Sequence, residues 1–139
     1  MCGIFALFNN DEAVLTYDFI LEQFNKSQSR GPDNSNFNVS NNNYIGFHRL
    51  SINGLDEESN QPFNISNIQL ICNGEIYNYK KLFDNITYKP TTNSDCEIII
   101  YLYMLYGIEY TLNLLDGVFA FVLIDYNINK TEVGLHSSW

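Results

Sequence analysis

The second residue of the chain is a cysteine, and its position makes it a candidate nucleophile. Removal of the initiator methionine leaves Cys2 with both a thiol and a free α-amine. An α-amine titrates at about pH 7.7–8, so part of it is neutral at physiological pH and can accept the thiol proton. Such a residue carries a nucleophile together with its own base, and it needs no separate histidine.

Four further polar segments contain residue types that bind or polarise small substrates. They are Arg30-Gly31-Pro32-Asp33, His48-Arg49, Asn73-Gly74 and Asp95. Each also has an ordinary structural explanation: a turn, a strand with a salt bridge and a buried histidine, a hairpin turn, and an acid in the first turn of a helix. Taken one at a time, these segments favour the structural explanation.

The order of the segments favours a function. Six motifs follow one another along residues 1–125: Met1-Cys2-Gly3-Ile4-Phe5-Ala6-Leu7, Arg30-Gly31-Pro32-Asp33, His48-Arg49-Leu50-Ser51-Ile52, Asn73-Gly74-Glu75-Ile76-Tyr77-Asn78, Asn93-Ser94-Asp95-Cys96-Glu97 and Asp116-Gly117-Val118-Phe119-Ala120-Phe121. In this order and spacing they resemble the class II glutamine amidotransferase domain of the N-terminal-nucleophile (Ntn) hydrolases. The fourth motif resembles the asparagine-synthetase branch more than the branches that serve nucleotide or amino-sugar synthesis, which are the neighbouring alternative.

The resemblance implies that glutamine is hydrolysed to glutamate and ammonia through a γ-glutamyl thioester at Cys2. Attack on the side-chain amide develops negative charge on its oxygen, which requires preorganised hydrogen-bond donors. By resemblance, the Asn73 side chain and the Gly74 backbone N–H form this oxyanion hole.

A free amino acid also carries a carboxylate and an ammonium group, and both can be recognised. The resemblance implies that Arg49 binds the carboxylate, for which its guanidinium is suited because it can donate two parallel hydrogen bonds. Asp95, with Glu75, is the implied acceptor of the ammonium group. Backbone groups around Leu50 and Ile52 are expected to complete the pocket.

No metal or organic cofactor is implied for this domain. In the family, ammonia passes to a second domain that uses ATP and magnesium to activate aspartate, and the product is asparagine. We expect residues 1–139 to be a single amidotransferase domain that is incomplete at its C-terminus and lacks the synthetase domain, which would be a separate partner. The alternative from another functional class is a non-catalytic truncated remnant or a glutamine- or partner-binding module.

The expected fold class is α+β, and the resemblance implies an αββα four-layer sandwich of mostly antiparallel sheets. Apolar residues predict strands over residues 2–8, 44–50, 67–73 and 118–125, and part of one more within 130–139. Helical spacing predicts helices over residues 14–26, 79–86, 94–107 and 112–115, the third opened by a capping box from Ser94 to Glu97. The polar residues 35–43 are expected to form a loop.

Composition excludes several other classes of protein. The net charge of −9 disfavours nucleic-acid binding, because an acidic surface repels phosphates. The longest apolar run, Ile98–Tyr106, has nine residues, whereas a membrane helix needs about 20. No basic segment precedes Cys2–Phe8, and three cysteines without a C-x-x-C pair disfavour disulfides and zinc. We therefore expect a cytoplasmic protein that binds neither nucleic acid nor membranes.

Overall fold

The computed structural model describes residues 2–10, 14–40, 42–52 and 56–136, which form an α+β fold with two antiparallel sheets. The first sheet has the order β1-β3-β2, with β1 at Gly3–Leu7, β2 at Asn34–Ser40 and β3 at Asn43–Arg49. The second has the order β4-β5-β6-β7, with β4 at Phe63–Ile65, β5 at Ile68–Ile76, β6 at Gly117–Asp125 and β7 at Lys130–His136. The helices are α1 at Tyr17–Asn25, α2 at Tyr79–Asp84, α3 at Ile98–Tyr106 and α4 at Ile108–Leu114.

An apolar layer lies between the two sheets. Ile45 and Phe47 of β3 contribute to it from the first sheet, and Ile71 and Val122 contribute from the second. Successive side chains of a strand point to opposite faces, so the residues that alternate with these four face the helices. Cys2, just before β1, packs against this layer, so the start of the first sheet lies close to the second sheet.

The second sheet buries its other face against α3. Residues Ile98 to Leu102 are all at most 3% exposed, so the first part of this helix lies inside the protein, whereas Leu105 and Tyr106 at its end are exposed. Its side chains pack on Leu70 and Cys72 of β5 and on Phe121 of β6. None of the helices in the described ranges combines the length and the apolar character needed to cross a membrane.

Helix α1 packs on the first sheet. Thr16 caps its N-terminus by accepting a hydrogen bond from the Phe19 N–H, and Ile20 and Phe24 face the protein interior. The Phe24 ring stacks on His48 with ring centroids 3.9 Å apart. It also lies directly over Gly46, where an added Cβ would overlap the ring, so the close approach of helix and sheet requires glycine there.

Most of the predicted strands and helices are confirmed within a few residues, but residues 35–43 are not a loop. Residues 35–40 belong to β2, which pairs with β3 from Asn34↔Arg49 to Ser40↔Asn43, and Asn43 is the first residue of β3. Asn41 lies outside the described residues. The polar composition reflects an edge strand whose side chains largely face water. Its one aromatic residue, Phe37, stacks on Phe24 with the ring centroids 4.9 Å apart.

The hairpin-turn explanation of Asn73-Gly74 is also wrong. Both residues lie inside β5, which continues to Ile76 and pairs with β6 as far as Gly117. Nine consecutive register pairs with β6 keep the chain extended, and this outweighs the local preference of Asn-Gly for a turn.

The predicted capping box does not form, although Ser94 does cap the N-terminus of this turn. Ser94 accepts a hydrogen bond from the Cys96 N–H, whereas the Glu97 carboxylate binds Thr91 and Thr92 instead of the Ser94 N–H. The strand expected within residues 130–139 is present as β7, and residues 137–139 lie outside the described range.

Replacing Gly46 with alanine tests the packing of α1 on the sheet. The added methyl group overlaps the Phe24 ring, so we expect Gly46→Ala to lower the free energy of unfolding by about 1–3 kcal/mol. Urea unfolding measures this change. The control is Gly3→Ala in the same sheet, where the nearest atom to the new Cβ is 3.3 Å away. Equal losses in the two variants would contradict the packing argument.

Candidate active site

A cavity of about 200 Å³ lies where the start of β1, the end of β3 and the last part of β5 meet. This volume suits a ligand smaller than a drug-sized molecule. All eight residues that the sequence predicts for the site line it: Cys2, Arg49, Leu50, Ile52, Asn73, Gly74, Glu75 and Asp95. The lining also includes residues that the sequence did not indicate, among them Ser59 and Gln61.

The Cys2 thiol is half-buried and is held at the end of β3. Its Sγ lies 3.6 Å from the Leu50 carbonyl oxygen and accepts a hydrogen bond from the Leu50 N–H at 3.4 Å. The position follows from the pairing of β1 with β3, in which Gly3 lies opposite His48. A backbone N–H directed at sulfur stabilises negative charge on that atom, as a nucleophilic thiol requires.

The segment Arg30–Asp33 forms hydrogen bonds both to Cys2 and to the end of β3. Arg30 Nε donates a hydrogen bond to the Cys2 carbonyl oxygen at 3.3 Å. Asp33 accepts one from the Ser51 N–H at 2.7 Å, and its own N–H donates to the Arg49 carbonyl oxygen at 3.0 Å. The motif therefore connects the cysteine to the end of β3, a role that its composition alone did not predict.

Arg49 presents a buried cation to the cavity. Only 6% of this residue is exposed, and its Nη1 donates to the Asp56 carbonyl oxygen at 2.9 Å and to Asn60 Oδ1 at 2.7 Å. Its Nη2 is buried and has no hydrogen-bond partner among the described residues. No carboxylate in the described ranges forms an ion pair with this side chain. Because a buried, unpaired donor is costly, the guanidinium is suited to an anionic ligand.

Asp95 is a buried carboxylate on the same cavity. Its Oδ2 accepts a hydrogen bond from the Ile76 N–H at 2.6 Å, and only 5% of the residue is exposed. Burial raises the pKa of Asp95, and the nearby charge of Glu75 adds to this effect, while the hydrogen bond from Ile76 opposes it. A cation bound in the cavity would relieve this destabilisation of the ionised form.

A hydrogen-bonded loop connects Arg49 to the segment that precedes Asp95. Asp56 accepts a hydrogen bond from Asn93 Nδ2 at 2.7 Å and others from the N–H and hydroxyl of Ser59. These hydrogen bonds, that from Asn93 foremost, lower the pKa of Asp56 to about 2. The same loop supplies the Asp56 carbonyl oxygen that holds Arg49, so the two charged groups of the cavity share one support.

Glu97 fixes the other side of that segment. It is fully buried and accepts hydrogen bonds from the N–H and hydroxyl groups of both Thr91 and Thr92 and from the Tyr101 hydroxyl. These donors compensate the burial of the carboxylate. The turn that contains Asp95 is therefore anchored to the start of α3.

The last part of β5 has a partner strand on one side only. On the other side, β4 pairs with β5 no further than Leu70. The peptide groups of Cys72, Gly74 and Ile76 point to this open side, because hydrogen-bonding directions alternate along a strand. The N–H of Ile76 binds Asp95. By the same alternation the Gly74 N–H points to the open side, where Gly74 lines the cavity.

Gly74 permits a close approach that no other residue allows. A Cβ added at this position would overlap the Val118 carbonyl oxygen and the Phe119 Cα of the neighbouring strand. Any larger residue at this position would therefore force β5 and β6 to shift relative to each other beside the cavity.

The other two cysteines are unsuited to nucleophilic chemistry. Cys72 is 1% exposed and Cys96 is 3% exposed, in agreement with the prediction that both are buried. Contact with the Cys72 thiol, together with burial, raises the pKa of the Cys96 thiol. Among the described residues, no group of three His, Cys, Asp or Glu side chains is placed to hold a metal ion.

The fold and the cavity agree with the comparisons with known proteins. Residues 1–134 match the family model of the glutamine amidotransferase domain, and the chain belongs to this family. It is similar to the N-terminal region of glutamine-hydrolyzing asparagine synthetase. The identity is 40% over 141 residues for the Bos taurus and Homo sapiens enzymes and 40% over 132 residues for that of Gallus gallus.

These alignments cover most of this chain but a small part of the relatives. They include 96% of this chain and 24% of the mammalian proteins, and 90% of this chain and 23% of the bird protein. The chain therefore spans about a quarter of the length of these curated relatives.

The raised pKa of Asp95 predicts a pH-dependent difference between the protein and its Asp95→Asn variant. Above the usual pKa of aspartate, the folded protein holds a proton that the unfolded chain has lost, so its stability declines as the pH rises to the raised pKa. The asparagine keeps an oxygen for the Ile76 N–H and does not titrate. We therefore expect the variant to gain stability relative to the unmodified protein between acidic and neutral pH.

Urea unfolding of both proteins across this pH range measures the difference. A difference in free energy of unfolding that is independent of pH, or that decreases toward neutral pH, would contradict this description of Asp95.

Proposed function

We propose that this protein hydrolyses L-glutamine to glutamate and ammonia as an amidotransferase of the asparagine-synthetase type. The observation that carries the proposal is the pair of buried, opposite charges on one cavity that also contains Cys2. Arg49 offers an unpartnered Nη2 to a carboxylate, and Asp95 offers a destabilised carboxylate to an ammonium group. Glutamine carries both groups beside an amide. Glu75 adds negative charge for the ammonium group, and Leu50 and Ile52 also line the cavity.

The proposed reaction begins after Met1 is removed. The free α-amine of Cys2 accepts the thiol proton, and the thiolate attacks the side-chain amide carbon of glutamine. The carbonyl electron pair moves to oxygen, where the Asn73 side chain and the Gly74 N–H stabilise the charge. The carbon–nitrogen bond then breaks as the ammonium group of Cys2 returns its proton to the amide nitrogen. The nitrogen departs as ammonia, and a γ-glutamyl thioester remains at Cys2.

Water completes the turnover. The α-amine accepts a proton from the attacking water, and the same two donors stabilise the second oxyanion. Collapse of this intermediate breaks the carbon–sulfur bond, releases glutamate and returns the thiol. No step uses a metal ion or an organic cofactor.

The remaining parts of the proposal concern the setting of the domain. The packing of α1 on the first sheet and of α3 on the second supports an αββα four-layer arrangement of the Ntn-hydrolase type. The names of the relatives, which are glutamine-hydrolyzing asparagine synthetases, support delivery of the ammonia to asparagine synthesis in a separate domain or protein. The family resemblance implies that this synthetase activates aspartate with ATP and magnesium. A cytoplasmic location is part of the proposal, because a reducing compartment keeps the Cys2 thiol free.

Covalent labelling tests the nucleophile. We expect a glutamine analogue that carries a diazoketone to form one adduct at Cys2, to be blocked by excess glutamine and to leave Cys2→Ala unlabelled. Intact mass and peptide mapping locate the adduct and report whether Met1 has been removed. A folded sample that forms no adduct would exclude the proposed reaction and would favour a non-catalytic glutamine- or partner-binding module.

Kinetics of Arg49→Lys test the carboxylate site. Lysine retains the positive charge but loses the two parallel donors, so KM for glutamine should rise by about 10- to 100-fold. A matched substrate, the α-amide of glutamine, lacks the carboxylate, and its KM should change much less. An equal change for both substrates, or an unchanged KM for glutamine, would exclude this role.

A further inference from the structure

Gln61 occupies the open side of β5 where a strand partner is missing. Its side-chain Nε2 donates to the Cys72 carbonyl oxygen at 3.1 Å, and its Oε1 accepts from the Cys72 N–H at 2.5 Å. A primary amide thereby forms the same two hydrogen bonds that a residue of a neighbouring strand would form. Cys72 is the last residue before Asn73 and Gly74.

The Gln61 side chain is itself held in place. Only 6% of the residue is exposed, so water has little access to compete for the hydrogen bonds of its amide. Its backbone carbonyl oxygen accepts a hydrogen bond from Asn36 Nδ2 of β2 at 2.8 Å. Gln61 therefore joins the first sheet to the open side of β5, and it does so at the wall of the cavity.

Two side chains border the Gly74 N–H along this open side. Gln61 binds the peptide group of Cys72 on one side of it, and Asp95 binds the Ile76 N–H on the other. With both neighbours held, the peptide plane of Gly74 has little freedom to rotate. Preorganised donors stabilise a developing charge because they need no reorientation during the reaction.

We propose that Gln61 is a positioning residue for glutamine hydrolysis, acting through Cys72 to direct the Asn73 side chain and the Gly74 N–H at the amide oxygen. This inference rests on the proposed function. Gln61 contributes to the transition state, where the oxygen carries charge, more than to the binding of glutamine. Its loss should lower kcat and leave KM for glutamine nearly unchanged.

The variant Gln61→Glu gives a pH signature that a space-filling role would lack. Once ionised, the new side chain still accepts from the Cys72 N–H but places an anionic oxygen against the Cys72 carbonyl oxygen. Once protonated, it donates to that oxygen and reproduces both hydrogen bonds. We expect kcat to fall by about 10- to 100-fold at the upper end of the pH range and to recover, relative to the unmodified protein, as pH falls.

Two further variants complete the test. Gln61→Met has a similar volume and no charge, so it should lose kcat to a similar extent at every pH without recovery. Gln69→Glu introduces the same group at a different buried glutamine, which lies in β5, binds Asn64 and Tyr126 and does not line the cavity. Its kcat should remain within about threefold of the unmodified value at every pH. Circular dichroism and urea unfolding establish that each sample is folded.

Each outcome decides the inference. Recovery of Gln61→Glu at low pH with a steady KM, and loss of kcat in Gln61→Met, support it. Full kcat in Gln61→Met, a change in KM alone, or equal losses in Gln61→Glu and Gln69→Glu would overturn it. If the unmodified protein neither hydrolyses glutamine nor reacts with the diazoketone, the proposed function and this inference are overturned together. If the unmodified protein is active and the Gln61 variants keep its kcat, only the inference about Gln61 is overturned.

Discussion

The cavity depends on strand β5, which is longer than its neighbour β4 and extends beyond it. β4 pairs with β5 only through Leu70, so β5 continues past its partner with one row of peptide groups unpaired. Buried backbone groups must find hydrogen-bond partners. At this open side they find the Gln61 amide and the Asp95 carboxylate, and the Gly74 N–H between them is directed at the cavity. A complete β4 would have satisfied all these groups and left no donor for a ligand.

The charged groups of the cavity impose an energetic cost that surrounding polar groups partly offset. Arg49 and Asp95 are both buried, and neither has a partner of opposite charge within the described part of the chain. Asp56, with several donors, holds the loop whose carbonyl oxygen binds Arg49, and Glu97, also with several donors, holds the turn that contains Asp95. The hydrogen bonds of Asp56 and Glu97 thereby stabilise the surrounding loops, while Arg49 keeps an Nη2 without a hydrogen-bond partner and Asp95 keeps a raised pKa. This division is typical of sites that bind charged small molecules.

The sequence predicted the residues of the cavity better than it predicted the contacts among them. The order of the motifs placed Cys2, Arg49, Asn73 and Asp95 in one site, and all four line the same cavity. It did not indicate Gln61, because an isolated glutamine before a proline has no periodic or compositional signature. Its hydrogen bonds join residues separated by eleven positions, and only the folded chain brings them together.

The apolar pattern of the sequence and the pairing of strands in the folded chain determine different elements of this structure. Apolar periodicity alone determined the buried helix α3 and the strand β6, because residues of these types must leave water wherever the chain allows it. It could not determine that the polar residues Asn34–Ser40 form a strand, or that Asn73-Gly74 stays extended. Both outcomes follow from backbone hydrogen bonds to a neighbouring strand, and such bonds carry no side-chain signal. The residue types and their order are properties of this sequence, but the open side of β5, which turns them into a site, exists only in the tertiary structure.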